Sequence, residues 1–153
     1  MRIGTRLAAM AMVGTMLSWP AYGAALALRA ERELFAAVNQ ARRAQGLSPL
    51  RWDESLAAAA RRHAEAMAEH GSAQHGFEGE PSLSARVKQA GARFSWLSEN
   101  VTQGPSTEFI HTQFMKSPPH RANILDSNMD SAGIGVVERG GQLFAVEDFS
   151  QAR

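Results

Sequence analysis

The strongest constraint on this chain is a change of residue character near position 130. Before it, apolar residues recur at helical spacing. After it, two short runs rich in glycine and β-branched residues, Ser131 to Glu138 and Leu143 to Ser150, flank Gly140-Gly141. Such runs around a two-glycine turn predict an antiparallel hairpin. Helices followed by a hairpin, rather than alternating strands and helices, argue an α+β fold with helices packed on a small antiparallel sheet. The chain of 153 residues contains no cysteine. That removes disulfides, thiolate zinc sites and cysteine nucleophiles together, so the fold must be held by packing alone.

The helical part divides at clear signals. Leu34, Phe35, Val38 and Ala41 form an apolar stripe, which predicts a helix over Ala30 to Gln45 that Gly46 ends. Leu47 to Leu50 reads as a turn, and Asp53 as the N-cap of a helix from Glu54 to about His70. Ala57 to Ala60 would let a neighbour approach that helix closely. Gly71 to Pro81 is polar and reads as a loop. Ser82 to Ala90 predicts a short helix ended by Gly91. Ser106 or Thr107 caps a helix carrying Phe109, Ile110, Gln113 and Phe114, and Ser117-Pro118-Pro119 stops it. His120 to Leu125 then forms a compact turn or short helix. Trp52 and Trp96 read as core anchors. Arg42-Arg43 and Arg61-Arg62 read as solvated faces.

Residues 1–23 have the layout of a signal peptide. Arg2 and Arg6 precede an apolar run from Leu7 to Leu17, and Ser18-Trp19-Pro20 breaks it before the small residues around Gly23. Residues 24–33 then form a lead-in, and 34–150 a single domain. Export to the periplasm or the medium is expected. Removing the leader leaves 14 basic against 15 acidic residues. No bulk field remains to attract nucleic acid, and interleaved aromatics for base stacking are missing, so no nucleic-acid partner is expected.

Several short motifs stand in a fixed succession. They are Asn39-Gln40-Ala41-Arg42 running to Gly46-Leu47-Ser48-Pro49-Leu50-Arg51-Trp52, Ala60-Arg61-Arg62-His63-Ala64, His75, Ser98-Glu99-Asn100-Val101, and Ser117-Pro118-Pro119-His120-Arg121-Ala122-Asn123-Ile124-Leu125. Gly133-Ile134-Gly135-Val136 and Glu147-Asp148-Phe149 close the series. In this order they resemble the CAP superfamily (cysteine-rich secretory proteins, antigen 5 and pathogenesis-related class one proteins; the SCP domain), and most of all its disulfide-free bacterial branch. The resemblance implies an α-β-α sandwich and a cleft lined by His75, Glu99 and His120, able in some members to bind a divalent metal. Ser98, Phe114 and Pro119 depart from the family pattern, which has a glycine, a tryptophan and a small residue there.

Two histidines and a carboxylate suit zinc and leave a position for water. Their spacing of 24 and 21 residues is not that of a helix-borne zinc pair, and no H-E-x-x-H motif is present. The bland alternative is a buried network in which Glu99 accepts hydrogen bonds. Asn100, Ser117, Arg121, Asn123 and Glu147 are secondary cleft or supporting residues. Ser117 lacks the glycines of a nucleophile elbow and reads as a helix-end residue. Of the adjacent Glu147 and Asp148, only one can face the cleft, and Glu147 is the choice. The resemblance implies a non-enzymatic protein that binds a small, lipid-like ligand or a partner, since the family is tied to lipid or sterol binding. A metal-dependent hydrolase using His75, Glu99 and His120, and a structural envelope protein, are the competing functions.

Overall fold

The computed structural model describes residues 19–151, with side chains from residue 23 onward. Most of the leader therefore lies outside the described residues. Helix α1 spans Trp19–Ala44, β1 Arg51–Trp52, α2 Glu54–His70, α3 Leu83–Gln89 and β2 Trp96–Gly104. Then come α4 Thr107–Lys116, α5 Pro118–Ile124, β3 Ser131–Arg139 and β4 Gln142–Gln151. Helix α1 begins well before Ala30, because Ala24-Ala25-Leu26-Ala27-Leu28 are strong helix formers and extend it upstream. Its other end is as expected. Gly46 adopts φ +72°, and the Leu47 N–H reaches back to the Arg42 carbonyl at 3.0 Å. Asp53 accepts from the Ser55 and Leu56 amides, Ser82 from Ala85, and Ser106 from Phe109.

The sheet order is β1-β3-β4-β2. The predicted hairpin is β3–β4, paired in register from Ser131↔Ser150 to Arg139↔Gln142. The sheet is mixed rather than purely antiparallel, since β1 pairs in parallel with β3. Neither β1 nor β2 carries the signal of a strand: β1 is two residues long, and β2 is a polar segment on the sheet edge. Helices α2 and α3 cover one face; α1, α4 and α5 cover the other. The architecture is an α-β-α sandwich.

Alternation along β3 and β4 assigns the two cores. Ala132, Ile134, Val136, Ala145 and Phe149 join Leu34, Val38, Ile110, Phe114 and Ile124 beneath α1, α4 and α5. Phe144 and Val146 meet Ala60, Ala64 and Met67 of α2, with Val101 of β2. On that second face the helix backbone lies almost on the strand. A Cβ on Gly133 would sit 2.0 Å from the Ala57 nitrogen, and one on Gly135 2.2 Å from the Ala60 carbonyl carbon. The alanine run of α2 and the glycines of β3 are therefore one contact.

Two of the arginines expected in solvent are structural. Arg42 is 1% exposed. Its guanidinium donates to the carbonyls of Ser48, Ile124, Asp126 and Met129 at 2.8–3.3 Å, tying α1 to the end of α5 and the segment before β3. A lysine has no planar fork to reach four carbonyls. Arg61 holds buried Glu31 with two parallel bonds of 2.9 and 2.8 Å. Asn39 acts like a strand neighbour, accepting from the Leu50 amide and donating to its carbonyl. Trp52 packs edge-on against Phe35, but Trp96 is no core anchor, being 62% exposed.

The α2–β3 contact leaves no room for a methyl group. Gly135→Ala should lower stability by about 3 kcal/mol or more, because backbone rather than a flexible side chain must move. Gly76→Ala, which meets open space, should leave the thermal midpoint nearly unchanged; thermal unfolding followed by circular dichroism measures both.

Candidate functional site

Strand β2 is at the sheet edge, so its successive side chains point into different layers. Glu99 opposes Asp148 across the β2–β4 ladder, and Asn100 opposes Glu147. Glu99 therefore faces the α2–α3 layer and Asn100 the α4–α5 layer. Two polar networks lie back to back through the strand.

In the first network, His75 Nδ1 donates to Glu99 Oε1 at 2.9 Å. The Arg86 guanidinium binds the other oxygen, Oε2, through Nη2. Arg86 is buried and also donates to the Pro81 carbonyl at 3.0 Å and the His75 carbonyl at 3.4 Å. His63, fully buried on α2, contacts Glu80 Oε1 through Nδ1 at 2.6 Å and the Gln74 carbonyl through Nε2 at 2.8 Å. Its Nε2 lies 4.0 Å from Glu99 Oε2. Glu80 turns its second oxygen to the Phe77 amide and stands 3.7 Å from Arg86. These contacts fix the 71–81 loop and hold His75 at the surface with its side chain 62% exposed. Asp148 is buried beside Glu99, and burial and the Glu99 charge raise its pKa well above the usual carboxylate range.

In the second network, Asn100 Nδ2 donates to the His120 carbonyl and to Glu147 Oε2, both at 3.1 Å. Asn123 Nδ2 donates to Asn100 Oδ1 at 2.9 Å and to the Glu99 carbonyl at 3.3 Å. Together they hang α5, and with it His120, on the edge strand. The His120 ring packs edge-on against Phe114, 5.2 Å between centroids. Ser117 is at once the C-cap of α4 and the N-cap of α5, with prolines opening the next helix. Arg121 is exposed, without a side-chain hydrogen bond among the described residues.

The electrostatics link the two sides. The hydrogen bond to Glu99 raises the His75 pKa above its ordinary value. Burial lowers that of His120, and the charge on His75 lowers it further. His75 comes from one layer and His120 from the other, near enough along the β2 edge for the charge on one to act on the other. Glu147 does not face Glu99. It lies on the opposite side of the sheet, and Asp148 holds the position on the Glu99 face, since residue 148 and not 147 registers with residue 99.

His75, Glu99 and His120 do not form a metal-ligand set. Both Glu99 oxygens are engaged, one by a buried guanidinium that already supplies the counter-charge. Among the described residues no group of three or more His, Asp or Glu side chains could hold a metal ion. The donor arrangement thus does not fit a zinc ion.

His63, Glu80, Arg86 and Asp148 were not singled out for the site from sequence. Arg86 had a readable signal, a cation on the same helical face as Leu83, Val87 and Ala90. Glu80 had none, being one acid in a polar loop.

The model of the cysteine-rich secretory protein (CAP) family matches residues 35–149. The chain belongs to the CAP family. The CAP chain is 32% identical over 111 residues to the YkwD protein of Bacillus subtilis, covering 72% of this chain and 43% of that one. It overlays an extracellular protein of Bacillus anthracis containing an SCP domain, with TM-score 0.79 and 22% identity. That overlay covers 90% of this chain and 45% of the other. An outer surface protein of Borrelia burgdorferi overlays with TM-score 0.75 and 17% identity, over 82% and 94% of the two chains. The CAP chain therefore spans less than half the length of both Bacillus proteins.

Two measurements test these networks. In an NMR titration His75 should titrate above the ordinary 6.5 and His120 below it, and Glu99→Gln should bring the His75 midpoint down. Glu147 is fully buried, with one oxygen lacking a partner, and burial pushes its pKa up to about 8. The protonated form is thus favoured by folding. Its stabilising effect is complete below about 4.5, the unfolded value, and is lost as pH rises through about 8. Glu147→Gln should therefore gain thermal stability relative to the parent from pH 5 to 8, with the gap levelling above that window.

Proposed function

We propose that this CAP protein is exported and acts by binding rather than turnover, holding the acidic head of a small amphipathic, lipid-like ligand between His75 and His120. The observation that carries the reading is an exposed imidazole fixed from behind by a buried carboxylate–guanidinium pair. A cation held in place at a surface groove suits an anion. Export is supported by the leader-like residues 1–23 and by relatives described as extracellular or outer-surface proteins. Among the described residues no helix is long and apolar enough to cross a membrane.

A hydrolase would need a nucleophile with an oriented base, or an open metal site. Ser117 serves as a cap on two helices, and Glu99 has no free edge. Native mass spectrometry of the protein recovered from the periplasm or medium tests the proposal. A retained small-molecule mass, lost in the His75→Ala/His120→Ala double variant, is expected. An unliganded protein that crosslinks instead to an envelope protein would overturn it in favour of the structural role.

A further inference from the structure

Helix α4 turns one side away from the rest of the molecule. Ile110 and Phe114 are buried in the core, so the opposite side looks outward. Glu108, Thr112 and Lys116 are exposed there at the spacing of a single helical stripe, with exposed Phe109 and Gln113 alongside. Phe109 is 42% exposed, yet its ring is held in place. It lies on Gly104 at the end of β2, where even a Cβ would collide with it.

This side is acidic at the N-terminal end of α4 and basic at the C-terminal end. From Phe109 to Leu125 the chain has no acidic residue. Lys116 and Arg121 of that run are exposed, and neither they nor Glu108 has an ion pair or side-chain hydrogen bond among the described residues. Both cations line a cavity of about 320 Å³ where α4 meets α5, together with Met115, Pro118, Ala122 and Leu125. A firmly seated phenyl ring beside an acid, and an apolar cavity beside unpaired cations, are complementary. About 9 Å of helix separates Phe109 from Met115, so the two halves cannot meet within one molecule.

They can meet between two molecules. A regular helix maps onto itself when turned through half a revolution about an axis perpendicular to its own. With that axis at Thr112, Phe109 exchanges with Met115 and Glu108 with Lys116, because both pairs are centred on residue 112. A two-fold dimer uses the same patch on both subunits, so each such contact is made twice. Residues on the axis meet their own copies, and Thr112 is uncharged, so no like charges face each other there. The antiparallel arrangement also opposes the two helix dipoles. Any other partner has to supply an acid next to an aromatic residue at this spacing; a second copy already carries both.

We propose that two copies of this chain associate through antiparallel α4 helices about a two-fold axis at Thr112. Phe109 enters the partner's cavity beside the partner's Met115, and Glu108 pairs with the partner's Lys116. The partner's Arg121 lies at the same cavity and can take the ring face as a cation–π contact. The interface uses neither His75 nor His120 and does not depend on a ligand there.

Sedimentation velocity of the purified protein over a concentration series tests the proposal. A reversible dimer in the micromolar range is expected, and Phe109→Ala should weaken it. Glu108→Lys and Lys116→Glu should each weaken association by about tenfold or more, because each reversal enters the interface twice. Thermal midpoints extrapolated to low concentration should stay unchanged. An equimolar mixture of the two charge-reversed variants should associate again, since one subunit then sets two positive charges against two negative ones of the other. A protein that stays monomeric up to millimolar concentration overturns the proposal. So does a dimer indifferent to these substitutions, as an apolar leader or another face would produce, and so does a mixture that fails to recover association. Perturbation of Lys116 and Arg121 by polyglutamate in a protein that remains monomeric also overturns it, assigning the cavity to an acidic protein.

Discussion

The arrangement of this CAP protein rests on the contact between the α2 backbone and the glycines of β3. Gly133 and Gly135 admit the helix to a distance that no side chain would allow, and Ala57 and Ala60 match them from the other side. The layer spacing follows from that contact. So does the position of His63, which lies one helical turn beyond Ala59 and Ala60 and is thereby carried against Glu80 and Glu99. A wider separation would pull His63 out of the network that anchors the 71–81 loop, and His75 would lose its fixed place.

Much of the fold was legible because it depends on local signals. The Asp53, Ser82 and Ser106 caps, the Gly46 stop and the Gly140-Gly141 hairpin each follow from the chemistry of one or two residues. The small strand β1 was not legible. Arg51 and Trp52 become a strand only because β3, some 80 residues later, supplies the partner carbonyls and amides. Strand β2 hid for a different reason: as an edge strand between polar networks it has no apolar alternation to read.

The site divides the same way. Glu99 bonds His75 directly and His120 hangs from the next residue of the same strand through its carbonyl, and the motif order resembling the family named all three. Their supporting residues came from placement in space. Arg42 and Arg86 share a lesson, since each interrupts an apolar helical stripe and each is buried as the donor hub of its region. A charge on an apolar face deserves to be read as an internal tie before it is read as solvent contact. The choice between Glu147 and Asp148 turned on strand register, which pairs residue 99 with 148 and which sequence parity alone could not supply.

Ser117 has a consequence for motion. One residue ends α4 and starts α5, and the two prolines that follow have their φ angles locked. The short link keeps His120 close to α4, where its ring packs against Phe114. The opposite rim is tied just as firmly through Gln74, Glu80 and Pro81. The proposed binding reading therefore starts from two imidazoles already held in place, so capture of a ligand by them would cost little conformational entropy.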